Sequence, residues 1–247
     1  YGTGWQSASF LEQERQFFGA PGGVMHDWDM MTNIPGVFVA GDQIFASDCA
    51  GAACATGYYA GRKASAFAGK QEKLLSCSPE EARTEKERLL APLYADREDG
   101  ISWKELNMAI SKAMQNYCGG VRCEALLREG LDLLDQFERD MVPRLTASNP
   151  HELMRVHEVL DILTVSRIVL YASLARKCSS EPLFFRRSDY PQMDPPQWRR
   201  HIVLCQENGR VMERDVPLDY FGSLKEEYEK HNQDYLSGEG EQIHETD

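Results

Sequence analysis

Along the chain, apolar residues first cluster in a short run, Val37 to Ala40, that ends in the pair Gly41-Asp42. A segment of very small residues follows (Ala50, Gly51, Ala52, Ala53, Cys54, Ala55, Thr56, Gly57), leading to Gly61-Arg62-Lys63. This pattern predicts a strand, a tight loop and a helix whose opening turns carry little side-chain bulk. After Gly69 the sequence becomes charged and helical in period. Ser78-Pro79-Glu80-Glu81 and Ser102-Trp103-Lys104-Glu105 each place a Ser three residues before a Glu, the signature of a capping box, with Pro79 at a first helical position. Helices are predicted over about 79–91, 102–117, 121–141 and 150–177, the last opened by Asn149-Pro150. In that last segment Leu153, Val156, Leu160, Leu163 and Ile168, with Val165, Val169 and Ala172, predict one broad apolar face, the core of an antiparallel bundle. Beyond Pro182 the chain reads as extended. Ile202 to Cys205, Asn208-Gly209 and Val211-Met212 predict a hairpin closed by an Asn-Gly turn.

The fold class expected is α/β plus all-α: the C-terminal strand and helix of a Rossmann-like dinucleotide-binding domain, then a helical bundle, then a short terminal hairpin arm. The expected divisions are 1–70, 71–181 and 182–247. No G-x-G-x-x-G turn occurs anywhere in the 247 residues.

Charge excludes one class of function. With 27 Lys and Arg against 39 Asp and Glu the net charge is −12, which opposes general nucleic-acid binding because that requires a basic face to displace counterions. Nine of the acids lie in 219–247, and a solvated or frayed tail is expected there, with docking on a basic partner as the alternative. No apolar run approaches the roughly 20 residues of a membrane span. The seven cysteines, Cys49, Cys54, Cys77, Cys118, Cys123, Cys178 and Cys205, form no C-x-x-C pair. They read as reduced thiols of a cytoplasmic protein, with no metal site.

The residues around Gly41 carry the candidate chemistry. Glycine lets a backbone approach a flat ligand closely. The Asp42 carboxylate can accept from a sugar-like hydroxyl, and a helix N-terminus favours delocalised negative charge. Here the sequence resembles the succinate dehydrogenase, fumarate reductase and adenylylsulfate reductase flavoproteins, in the stretch written T-x-I/V-P-G-L-F-A-A-G-E/D. Thr32, Ile34, Pro35, Gly36, Phe38, Ala40, Gly41 and Asp42 match it, as does the later Gly61-Arg62. The second half agrees in order: an aliphatic helix from Leu153 to Lys177, then Arg187-Ser188-Asp189-Tyr190-Pro191, then Trp198.

The resemblance implies an FAD-dependent oxidoreductase that passes hydride or electrons between flavin and a small anionic substrate. It assigns FAD contacts to Gly41, Asp42, Ser47, Ala53, Cys54 and Ala55 and leaves the catalytic residue open. It also implies that this chain is the C-terminal portion of a longer protein. The partners implied are an N-terminal FAD-binding and capping portion and an iron–sulfur electron-transfer protein. Two departures refine it. Asp48-Cys49-Ala50-Gly51-Ala52 lacks the Arg and His that the dicarboxylate enzymes carry in H-G-A-N-R-L-G. The Gly41-Asp42 and Ala46-Ser47 spacing is closer to adenylylsulfate reductase, but Cys49 and Ala50 stand where that family has His and Lys. The competing reading is a non-catalytic helical interaction subunit that does not bind flavin. Arg186, Arg187, Arg199 and Arg200 can grip an anion, or can pin the extended arm against acidic helices.

Overall fold

The computed structural model describes residues 22–44, 49–72, 78–95 and 98–238. It divides into two units, one drawn from residues up to 74 and from 218 onward, the other from residues 75–217. Three consecutive segments were expected instead. Residues 182–217 belong with the helical unit, while the chain after 218 returns to the unit that contains Gly41.

The helical unit is built on α2 (Pro79–Tyr94), α3 (Trp103–Tyr117), α4 (Glu124–Asp140) and α5 (Pro150–Ala175). Local chemistry sets the starts of α2, α3 and α5. Ser78 Oγ accepts from the Glu81 N–H at 3.5 Å, and the Ser102 N–H donates to the Glu105 carboxylate at 2.7 Å. Asn149 Oδ1 accepts from the Glu152 N–H at 3.0 Å, ahead of Pro150 at the first helical position. α2 runs past Pro92 to Tyr94, because a proline near the final turn removes only one helical hydrogen bond.

Leu106, Ile110 and Ala113 on α3 meet Leu127, Leu131 and Leu134 on α4 and Val156, Val159, Leu163 and Leu170 on α5. Gly130 allows the closest approach: a Cβ there would lie 2.9 Å from Tyr117 Cβ and 3.3 Å from Leu170 Cδ2. The face that α5 buries is rotated from the expected one. Val159, Ser166, Leu170 and Ser173 are inside, while Val165 and Ile168 are 56% and 50% exposed. The helix is apolar almost all round, so spacing alone cannot choose its inner side.

The arm is ordered by short pairings. β1 (Val121–Arg122) pairs in parallel with β2 (Arg186–Arg187), which removes residues 121–123 from the helix expected there. The hairpin is longer than expected: β3 (Arg200–Glu207) and β4 (Arg210–Pro217) pair along their full length around Asn208 and Gly209. Both turn residues have positive φ, 51° and 75°, as a tight two-residue hairpin turn requires.

In the other unit, α1 (Cys49–Gly69) is accompanied by α6 (Leu224–His231) and α7 (Gln233–Leu236). Within the acidic tail, 224–231 and 233–236 are thus helical with most side chains exposed, and 239–247 lies outside the described residues. Asn232, fully buried, donates from Nδ2 to the Tyr59 hydroxyl at 3.0 Å, and the Arg62 guanidinium lies 4.0 Å over the Tyr235 ring.

Candidate functional site

The expected strand Val37–Ala40 is reduced to a bridge between Phe38 and Met31. The Thr32 N–H donates to the Val37 carbonyl at 2.9 Å and the Val39 N–H to the Met30 carbonyl at 3.0 Å, so the run folds back on its own loop. A longer ladder needs a longer neighbour, and the loop offers only these few residues. The loop is shaped by Asp27, whose carboxylate accepts from the N–H groups of Asp29 and Met31, both at 2.9 Å.

Gly41 opens a single helical turn, Gly41–Ile44, at φ +65°. Its N–H donates to Thr56 Oγ1 at 2.9 Å, and that hydroxyl donates to the Ala52 carbonyl at 2.6 Å. A Cβ on Gly41 would sit 3.5 Å from Ala53 Cβ, ordinary contact, so the left-handed φ rather than space calls for glycine. Gly23 is tighter. A Cβ there would lie 2.5 Å from the Gln43 carbonyl oxygen and 2.8 Å from Ile44 Cα. Sequence reasoning passed over Gly23 and Thr56; Pro21-Gly22-Gly23 signals only a break, and Thr56 gives no signal in a small-residue run.

Thr56 thus brings Gly41 onto the second turn of α1, next to Ala53. Asp42 is exposed and makes no hydrogen bond or ion pair with another described residue. Ala53, Cys54, Ala55 and Gly57 are exposed as well, so close helix packing is not their use within this unit. With α1 starting at Cys49, the described N–H groups lacking a helical acceptor are those of residues 49–51. Ala53, Cys54 and Ala55 add low relief rather than donors. The first turn of α1 holds no acid to offset the positive end of its dipole. Ser47 lies outside the described residues. The groups presented here are small exposed side chains, backbone N–H groups at the positive end of a helix dipole and the Asp42 carboxylate. Such groups can meet a ligand that carries both anionic and hydroxyl groups.

The arginines of the arm have a different use. Arg187 is fully buried and grips Asp189 through two bonds, Nε to Oδ1 at 2.8 Å and Nη2 to Oδ2 at 2.7 Å. Its Nη1 donates to the carbonyls of Ser173 and Arg176 at 2.6 and 3.0 Å, at the C-terminal end of α5. The hydrogen bond from Arg187, aided by the Glu124 N–H, holds the Asp189 carboxyl down at about 2. Arg186 pairs with Glu181, and Arg200 pairs with Asp215 and lies over Trp198. The cluster pins the arm. His157 is also tied structurally, through Nε2 to the Leu89 carbonyl at 2.9 Å. Cys178 is fully buried, and that burial pushes its thiol pKa up, away from a reactive thiolate.

Among the described residues no group of three or more His, Cys, Asp and Glu is placed to hold a metal, and no helix is long and apolar enough to cross a membrane.

The family model described as fumarate reductase flavoprotein C-term matches residues 107–233, just over half of the chain. Adenylylsulfate reductase subunit alpha of Megalodesulfovibrio gigas is 32% identical over 104 residues, which is 40% of this chain and 16% of that protein. Sdh1 of Mycobacterium smegmatis, solved in complex with UQ1, has a TM-score of 0.67 and 22% identity, covering 84% of this chain and 38% of that one. Quinol fumarate reductase FrdA of E. coli has a TM-score of 0.67 and 19% identity, covering 82% and 37%. These two likenesses establish the fold. The chain spans less than two fifths of the length of either solved relative and 16% of the curated one.

Proposed function

We propose a function on one premise: the chain belongs to the fumarate reductase flavoprotein C-terminal family. In our reading it is the C-terminal portion of an FAD-dependent oxidoreductase. An N-terminal FAD-binding and capping portion completes it, and an iron–sulfur protein exchanges electrons with it.

One observation carries the cofactor assignment. Gly41, at φ +65°, is tied through Thr56 to α1, and this sets an exposed Asp42, without a partner among the described residues, next to an exposed helix opening without bulky side chains. Bound FAD supplies hydride or electron transfer to a small anionic substrate; everything else asked of this chain is placement. Asp42 accepts from a cofactor hydroxyl. The N–H groups of residues 49–51 favour negative charge on the ring system. Ala53, Cys54 and Ala55 keep side chains out of the way, and Ser47 adds a hydroxyl. The helical unit, with its own core, acts as a rigid support for the arm and for partner contacts.

Extending the chain by the coding sequence upstream of Tyr1 should yield a yellow protein with stoichiometric FAD. The 247-residue chain alone should bind FAD weakly or not at all. A colourless extended protein that does not take up added FAD would overturn the proposal.

A further inference from the structure

The chain after 218 is joined to α1 and the 27–31 loop by a set of contacts that the flavin assignment does not use. Trp28 Nε1 donates to the Phe221 carbonyl at 3.0 Å, and its ring stacks on His231 with centroids 6.3 Å apart and planes 18° apart. Lys63, on α1, donates to the His231 carbonyl and pairs with Asp29 at 2.9 Å. Asn232 reaches the Tyr59 hydroxyl.

At the centre is the His231 ring. Nδ1 lies 3.3 Å from Asp29 Oδ1, and Nε2 lies 3.4 Å from Glu227 Oε2. A neutral imidazole donates from one nitrogen and presents a lone pair on the other, so one of the two carboxylates would face a lone pair. Only the imidazolium, hydrogen-bonded to Asp29 and ion-paired with Glu227, suits both. The charged groups around it are Asp29 on the loop, Glu227 on α6, Lys63 on α1 and Lys230 on α6, whose Nζ lies 3.3 Å from the same Glu227 Oε2 that His231 faces. Each carboxylate thus has a lysine partner as well, Lys63 on Asp29 Oδ1 and Lys230 on Glu227 Oε2, and the imidazolium is the one group that links the two pairs.

We propose that residues 218–238 form a latch on α1 and that His231 is its acid-tightened lock. Protonated, His231 bridges the 27–31 loop to α6 and holds the segment down over Tyr59, Arg62 and Lys63. Deprotonated, it surrenders one carboxylate, and the segment opens more often. Since α1 also presents the small-residue surface, the latch sets how firmly that helix is held as pH changes. This does not depend on whether flavin binds there.

Amide hydrogen exchange on the full 247-residue chain tests it, with protection factors referred to the intrinsic exchange rate at each pH. Between about pH 5 and 8, where imidazoles change charge, protection of 224–236 should fall by about two- to fivefold, the scale of partly exposed ion pairs. Protection of α3 and α4 should stay constant. His231→Gln should remove the pH dependence, and Glu227→Gln should weaken it. A flat wild-type profile, or an unchanged dependence in His231→Gln, overturns the proposal. If His231→Gln leaves the segment unprotected at every pH, ¹⁵N spectra of the wild-type ring decide. Two protonated nitrogens at pH 5 support the lock, and a neutral tautomer in the protected state contradicts it.

Discussion

Arg187 and Asp189, two positions apart, together close the ends of two different helices. Arg187 donates to the last free carbonyls of α5, from Ser173 and Arg176, while Asp189 accepts the Glu124 N–H at 2.8 Å at the start of α4. Cys123, at the N-cap of α4, provides no side-chain cap, so Asp189 supplies it from 65 residues away. The two-pronged bond between them balances the buried guanidinium.

Removing one partner of this pair should therefore be costly. Asp189→Asn should lower unfolding stability by on the order of 2–3 kcal/mol, below the usual figure for a broken buried pair because Asp189 keeps some contact with water. Its carboxyl lies at about 2 against an ordinary 3.8. A depressed value means stability that is present above the ordinary value and lost as pH falls through the folded one. Denaturant melts should thus show the gap between wild type and Asp189→Asn full at pH 6 and closing between about pH 4 and 2.

Gly130→Ala tests the helix contact. Alanine favours helix by about 1 kcal/mol, but its Cβ would enter the 2.9 Å space beside Tyr117 Cβ, and overpacking typically costs about 1–3 kcal/mol. A net loss of thermal stability is expected, without loss of helical circular dichroism.

Much of the helical unit was legible in the sequence. The helix starts at Pro79, Trp103 and Pro150 followed from Ser78, Ser102 and Asn149, and the hairpin followed from Asn208-Gly209, because each rests on a local bond within four residues. What failed depends on remote neighbours. The inner side of α5 is selected by α3 and α4, which bury Ser166 and Ser173 and leave Val165 outside. The strand at Val37–Ala40 has no long partner among the described residues, and the charged 224–236 stretch is held by Trp28, Tyr59, Arg62 and Lys63. At the candidate site, glycine at 41 and an acid at 42 were legible. The close approach at Gly23 and the tie through Thr56 were not, since both are tertiary.

Residues 75–217 have their own core, capped helices and a hairpin, and they form one of the two units. Expressed alone, they should unfold cooperatively by circular dichroism, with a melt close to that of the same helices in the full chain. A featureless, sloping melt would show that the bundle depends on the other unit.

The flavin assignment rests most heavily on Asp42, and one measurement tests it. In the chain extended upstream of Tyr1, FAD affinity should be measured by titration for wild type, Asp42→Ala and Asp42→Glu. A charge-assisted hydrogen bond contributes about 1.5–3 kcal/mol, so Asp42→Ala should weaken binding by about ten- to a hundredfold, with Asp42→Glu milder. Thermal stability without FAD should stay unchanged, because Asp42 is exposed and has no partner among the described residues. Unchanged FAD affinity in Asp42→Ala, with stability lowered equally in the presence and absence of FAD, would make Asp42 a turn residue and contradict the account.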